Sequence, residues 1–148
     1  MIVIGEDRAA AVMSEGVELF EAHFAEVSPF KTQPLDPDFA AFLRLEREGK
    51  LKVFSARDDG VLVGYAVFVV AYMLHYKTVL TADLDLMFLS KPHRAGMIGF
   101  KLFKFARQAL IDMGCQRIRW RTKTAQSFGV LLERMGAVET ERVYEESF

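Results

Sequence analysis

The fold is decided by residues 82–109, which read ADLDLMFLSKPHRAGMIGFKLFKFARQA. An apolar run of strand length at 84–89 is followed by turn residues, and then by a segment in which apolar residues recur every three or four positions. We therefore predict a strand, a short polar turn and a long helix. The first amides of a helix have no acceptor inside it, and the helix dipole adds partial positive charge there. The junction between turn and helix can therefore bind an anion. Arg94 lies at this junction, and its guanidinium group can form paired hydrogen bonds with a phosphate.

The segments on either side alternate between helical and strand patterns. We predict helices at 8–27, 39–48 and 125–135, and strands at 1–4, 51–57, 61–72, 78–89, 116–122 and 137–147. The centre of one strand, 66–71, is apolar on both faces, as expected when helices cover a sheet from both sides. No repeat or linker interrupts the pattern. The sequence predicts one domain, residues 1–148, with an α/β (α+β) fold built on a mixed sheet.

Composition narrows the class of protein. The chain has 148 residues, 51% of them hydrophobic, which is enough for a sizeable core. A net charge of −1 argues against nucleic-acid binding driven by overall charge. The single cysteine excludes an intrachain disulfide and fits a reducing compartment. With no signal-peptide pattern and no apolar run of membrane-spanning length, we expect a cytoplasmic protein that does not contact a membrane.

The turn before the long helix resembles a known family motif. Residues 94–99 read RAGMIG and are similar to the Q/R-x-x-G-x-G/A pyrophosphate loop of the GNAT superfamily of N-acetyltransferases. The agreement is at Arg94 and Gly99. The inner glycine of the motif is replaced by Met97, while Gly96 lies one residue earlier, giving the R-x-G-x-x-G form that phage and prophage members often carry. The resemblance covers roughly residues 50–148, and the earlier helices more loosely.

The resemblance implies a fold, a reaction and a set of binding residues. The fold would be a mixed, mostly antiparallel central sheet, split near its middle, with helices on both faces. The reaction would be N-acetylation of a primary amine by acetyl-CoA, by direct attack in a ternary complex and without a metal. The pyrophosphate would be bound by Arg94, Ala95, Gly96, Met97, Ile98 and Gly99, and the pantetheine arm and thioester by the backbone of Met87, Phe88 and Leu89.

Two carboxylates in the apolar strand are candidates for proton transfer. Strand alternation places Asp83 and Asp85 on one face, with Leu84 and Leu86 on the other. Asp85 is also placed like the general-base Glu in histone-acetylating members of the superfamily, so we predict Asp85 as the base. Burial or a neighbouring like charge would raise its pKa towards the working range of a base. Alternatively, the pair binds a cation of the acceptor or forms a salt bridge with an Arg such as Arg119.

The general acid has no clear candidate. Many family members place a Tyr at the start of the five-residue stretch that ends with the Gly after the last helix. Here that stretch is LERMG, residues 132–136, so Leu132 takes the position of the Tyr. Tyr144, Tyr72 and Tyr76 are possible substitutes. Together with Met97 in the phosphate loop, this gap supports the alternative of a non-catalytic GNAT-fold module that binds a protein or a nucleic acid.

Other charged and reactive residues have simpler explanations. Arg117, Arg119 and Arg121 form a basic face of one strand, which we expect to pair with the glutamates of residues 137–147 rather than with nucleic acid. Cys115 is expected in the core, and the histidines lack metal-ligand spacing. The acceptor stays open between a small amine, a protein lysine or N-terminus, and a nucleobase. The Phe- and Met-rich composition would allow a homodimer.

Overall fold

Five strands form one sheet in the order β1-β2-β3-β4-β5, in a computed structural model that describes residues 1–148. They are β1 (Ile2–Asp7), β2 (Leu51–Asp58), β3 (Val61–Met73), β4 (Tyr76–Leu89) and β5 (Arg117–Arg119). The first four strands pair antiparallel, and β5 runs parallel to β4. The predicted mixed, mostly antiparallel sheet is therefore confirmed.

Helices cover both faces of the sheet. They are α1 (Ala9–Glu15), α2 (Val17–Val27), α3 (Phe39–Arg47), α4 (Ile98–Asp112) and α5 (Gly129–Arg134), with a 3-10 turn at Lys91–His93. Alternation along β2 places Phe54 in a core beneath α4, with Leu102, and places Val53 in a second core beneath α1, with Val12. None of the helices is both long and apolar enough to span a membrane.

Residue types that favour turns and caps account for two local features of the fold. The hairpin between β2 and β3 turns through Asp59 and Gly60, which have φ of 46° and 85°, the conformation that a tight hairpin turn demands. Asp38 caps α3, its carboxylate accepting a hydrogen bond from the amide of Ala41 at 2.9 Å.

The helix predicted at 8–27 is broken in two at Gly16. This residue has φ −93° and ψ 6°, outside the helical range, and separates α1 from α2. A Cβ placed on Gly16 would lie 2.4 Å from the carbonyl oxygen of Val12. The break therefore requires the absence of a side chain, which periodicity alone did not reveal.

The end of the chain differs most from prediction. The strand predicted at 116–122 is only Arg117–Arg119, the helix predicted at 125–135 is shortened to α5, and the strand predicted at 137–147 is wrong. Val138, Val143 and Tyr144 are strongly exposed. Because β5 is so short, the segment 137–148 has no ladder to join, and its alternating apolar residues have no core to bury against.

Candidate functional site

Strands β4 and β5 part before β4 ends. Thr81, Ala82 and Asp83 pair with β5, whereas β4 continues to Leu89 with no partner on that side. On its other side β4 stays paired with β3 as far as Leu89, opposite Gly64. The backbone groups of residues 84–89 that point away from β3 therefore have no strand partner. We call this gap the β4–β5 opening. The predicted pantetheine-binding residues Met87, Phe88 and Leu89 lie along it.

A β-bulge lies at the start of the opening. Leu84 pairs with Phe68 and Leu86 with Val67, so Asp85 between them has no opposite residue on β3. The bulge shifts the alternation of side chains along β4. As a result, Leu84 packs in the core beneath α4, whereas Leu86 packs against the core beneath α1. The expectation that Leu84 and Leu86 share a face is therefore wrong, since simple alternation does not anticipate an inserted residue.

The two aspartates of β4 have different surroundings. Asp83 Oδ1 lies 3.3 Å from Arg119 Nε and 3.5 Å from Arg121 Nη2, so ion pairs occupy this carboxylate. Asp85 makes no hydrogen bond or ion pair and is accessible to solvent, yet the surrounding protein displaces part of its hydration. This desolvation raises the pKa of Asp85, although the charges of Arg121 and Lys123 oppose the shift. Asp83 has a structural explanation, and Asp85 remains available for chemistry.

The turn between β4 and α4 presents a run of free amides. The backbone N–H groups from Ala95 to Phe100 donate to no acceptor within the chain. Gly96, at φ +106°, allows the chain to bend into the start of α4 at Ile98, and no side chain caps that helix start. Ala95, Gly96 and Met97 are exposed. The predicted loop residues 94–99 therefore lie together around an open helix start beside the end of β4.

Arg94 is engaged by the protein itself. Its Nε donates to the carbonyl of Leu89 at 2.7 Å, and its Nη1 and Nη2 donate to the two carboxylate oxygens of Glu26 at 2.7 and 2.9 Å. The guanidinium carbon lies 5.0 Å from the centre of the Phe88 ring. Arg94 also holds the pKa of Glu26 below its usual range. Guanidinium has five N–H donors, so two remain for an anion while these contacts persist.

His23 forms a buried contact that the sequence did not indicate. Its Nδ1 is hydrogen-bonded to the hydroxyl of Tyr65 at 2.8 Å, and its ring stacks on Phe88 at 4.8 Å and 17°. Burial is the main cause that lowers the pKa of His23 to about 4, and it raises the pKa of Tyr65. Glu26 was missed as well. The partners of both residues are far away in sequence, and no local signal marks them.

The remaining candidate residues lie elsewhere or inside the core. Leu132 is buried in α5, whereas Tyr72, Tyr76 and Tyr144 are exposed, so no tyrosine is assigned as an acid. Cys115 is buried as predicted, and burial raises its pKa. No group of three or more His, Cys, Asp or Glu side chains is placed to hold a metal ion.

The basic face of the strand around β5 is only partly paired. Arg119 donates to Glu141 as well as contacting Asp83, which agrees with the predicted pairing to the closing segment. Arg117 instead lies over the ring of Tyr76, 4.5 Å from its centre. Arg121 forms an ion pair with Asp83.

Solved structures with similar folds include several acetyltransferases. A ribosomal-protein-alanine N-acetyltransferase from Brucella melitensis biovar Abortus 2308 is 19% identical, with TM-score 0.77 over 100% of this chain and 98% of that one. An aminoglycoside acetyltransferase from an uncultured soil metagenomic sample, in complex with sisomicin, is 16% identical, with TM-score 0.76 over 99% and 96%. A predicted acetyltransferase with acetyl-CoA from Clostridium acetobutylicum is 10% identical, with TM-score 0.74 over 99% and 96%.

The sequence itself matches a family model over most of its length. No curated protein matches the chain by sequence. The model of the acetyltransferase (GNAT) family matches residues 16–136, which include the β4–β5 opening, the bulge at Asp85 and the run of free amides before α4. The chain therefore belongs to the acetyltransferase (GNAT) family.

Proposed function

We propose that the protein is an N-acetyltransferase that moves the acetyl group of acetyl-CoA onto a primary amine, in a ternary complex and without a covalent enzyme intermediate. The observation that carries the proposal is the run of free amides from Ala95 to Phe100 at the start of α4, directly beside the unpaired edge of β4. Amides at a helix start bind phosphate groups, and an unpaired strand edge can hydrogen-bond the amides of a pantetheine arm.

The residues present fit the acyl donor. Ala95, Gly96, Met97, Ile98 and Gly99 supply the amides for the pyrophosphate, and the two remaining N–H donors of Arg94 supplement them. Because Glu26 offsets the charge of Arg94, the backbone amides carry most of this recognition. Met87, Phe88 and Leu89 supply the strand edge for the pantetheine arm. Acetyl-CoA contributes the activated acyl group, a thioester whose sulfur is a good leaving group.

Asp85 is proposed as the general base. The acceptor ammonium gives one proton to Asp85 so that its nitrogen can attack the thioester carbonyl. The C–N bond forms and the C–S bond breaks; the nitrogen releases its second proton to solvent, and the thiolate takes a proton from solvent. Asp85 supports this role because it is accessible, has no partner and has a raised pKa. Asp83 is excluded from the role by its contacts with Arg119 and Arg121.

Donor binding is tested by thermal unfolding with and without acetyl-CoA. A ligand that binds only the folded state stabilises it by about 2.7 kcal/mol at a hundredfold excess over Kd. We expect a clear shift in the wild type that shrinks in Gly96→Ala, because a side chain at positive φ distorts the loop. Gly114→Ala is the matched control: its φ is +103°, its Cβ would also meet nothing within 4 Å, and it lies at the other end of α4. Its ligand-induced shift should equal that of the wild type.

Turnover is tested by release of free thiol with a panel of amines. Asp85→Asn should abolish most turnover while the acetyl-CoA shift persists, and Asp83→Asn should lower stability more than turnover. Full activity of Asp85→Asn across the pH range would remove Asp85 from the mechanism. If acetyl-CoA at millimolar concentration gave no shift at all, the acetyltransferase assignment would fail and a non-catalytic binding module would be the better explanation.

A further inference from the structure

The β4–β5 opening has walls of opposite charge. We infer that the acceptor is an amine that carries an anionic group, a carboxylate or a phosphate, on the same molecule. The inference rests on the proposed function and specifies its substrate class. Asp85 on the β4 wall would receive the ammonium group, and Arg121 and Lys123 on the opposite wall would receive the anion.

The strand register places these side chains across from one another. The parallel pairing of β4 and β5 ends with Asp83 opposite Arg119, so the chain that follows each of them, with Asp85 on one side and Arg121 on the other, borders the opening. Arg121 points to the face that carries Asp83, since its Nη2 lies 3.5 Å from Asp83 Oδ1. Trp120, between the two arginines, packs against Phe68 on the opposite face. Arg121 therefore reaches across the opening to the β4 side, and its charge acts on Asp85 as well.

This wall carries more cationic side chains than there are carboxylates in contact with them. Arg119 is satisfied by Asp83 and Glu141. Arg121 shares Asp83 at the longer distance of 3.5 Å, and its side chain is 61% exposed. Lys123 forms no ion pair, and its charge reaches both Asp85 and His23. The wall thus retains cationic charge that the protein does not neutralise.

The phosphates of the acyl donor do not account for this charge. Their proposed amides begin at Ala95, beyond the end of β4 at Leu89, whereas Arg121 lies beside Asp83, at the other end of the opening. The pantetheine arm that would lie between the two ends is uncharged. The closing segment does not account for it either, because Glu139 pairs with Arg142 and only Glu141 reaches the wall.

Charge complementarity therefore selects among amines. An amine with a nearby carboxylate or phosphate places one charge on each wall, while a polycationic amine places like charges against Arg121 and Lys123, which is unfavourable. The structure thus favours amino acids and phosphorylated amines over polyamines and aminoglycosides.

The test compares matched amines with and without the anion. The pairs are glucosamine 6-phosphate with glucosamine, and alanine with alaninamide, which separate phosphate from carboxylate; spermidine is the polycation. We measure kcat/KM by thiol release, and equilibrium binding by calorimetry on the protein. We expect the anionic member of at least one pair to be preferred about tenfold or more, and the preference to fall to about twofold or less in the double variant Arg121→Gln, Lys123→Gln.

Arg107→Gln is the matched control, since Arg107 is an exposed cation of α4 without an ion pair, and it should leave the preference unchanged. Equal binding of both members of each pair, a preference for spermidine, or no binding of any amine would overturn the inference. Preferential binding of anionic amines that are never acetylated would support the charge assignment and refute the proposed function instead.

Discussion

Burial of His23 should make the stability of the fold depend on pH. The side chain is 8% exposed, bonded to the hydroxyl of Tyr65 and stacked on Phe88. Its surroundings lower the pKa from 6.5 to about 4, chiefly by burial, with Lys123 and Arg94 adding to the effect and Glu26 opposing it. Below about pH 6.5, His23 is therefore protonated in the unfolded chain but stays neutral in the folded protein until the pH approaches about 4.

The sign and size of the effect follow from this difference. As pH falls from about 6.5 towards about 4, the unfolded state binds a proton and the native state does not, so stability is lost on acidification and is fully present above the unfolded pKa. A shift from 6.5 to about 4 corresponds to about 3 kcal/mol over the whole window. Between about pH 7 and about pH 5 the loss attributable to His23 should be about 2 kcal/mol.

Urea unfolding at these two pH values measures the loss. Carboxylates also titrate on acidification, so the informative quantity is the difference between the wild type and His23→Gln, which can hydrogen-bond Tyr65 but does not titrate in this range. The wild type should lose about 2 kcal/mol more than the variant. Parallel losses in the two proteins would mean that His23 takes up its proton in the folded state near the ordinary pKa, and the reasoning from burial would be refuted.

Three further changes test other parts of the fold. Gly16→Ala should cost about 1–3 kcal/mol in urea unfolding, because its Cβ would lie 2.4 Å from the carbonyl oxygen of Val12; stability equal to wild type would refute a steric need for glycine. Leu102→Ala should cost about 3–5 kcal/mol, since this side chain of α4 is fully buried in the core between α4 and the sheet; a loss below about 1 kcal/mol would mean that this core repacks freely. Arg94→Gln should return the pKa of Glu26 towards its ordinary range, as followed by NMR titration, because Arg94 is the main cause of its depression; an unchanged pKa would contradict the ion pair.

The fold was predictable where local pattern and tertiary packing agree. β3 reads as apolar on both faces because helices cover it on both sides, and α4 reads as amphipathic because one of its faces packs on the sheet. The predictions of secondary structure are wrong where one local feature of the backbone overrides the pattern of apolar residues. Gly16 breaks a periodic helix, and the segment 137–148 has strand-like alternation but no ladder to join, since β5 is so short. The sequence of a segment indicates its tendency to form a strand, but not whether an unpaired strand edge is near enough to pair with it.

The geometry of the candidate site was more predictable for its backbone than for its side chains. Residues 94–99 carry a motif because turn geometry and helix starts depend on local sequence, and the structure places them at an open helix start. The different surroundings of Asp83 and Asp85 could not be predicted from their spacing alone. Only the register with β5 assigns Asp83 to Arg119, and only the bulge leaves Asp85 without a neighbour on β3.

The contacts that sequence could not supply also show how the site is held together. α2 is linked to the end of β4 in two ways. His23 stacks directly on Phe88, and Glu26 binds Arg94, which lies over the same ring and donates to the carbonyl of Leu89. The strand edge proposed for the pantetheine arm and the loop proposed for the pyrophosphate are thus both tied to one helix. A change in the packing of α2 displaces both together, so variants in this helix should weaken donor binding without removing any group that touches the donor. Phe88 joins the two contacts, so its ring holds in place the strand edge whose backbone is proposed to bind the pantetheine arm.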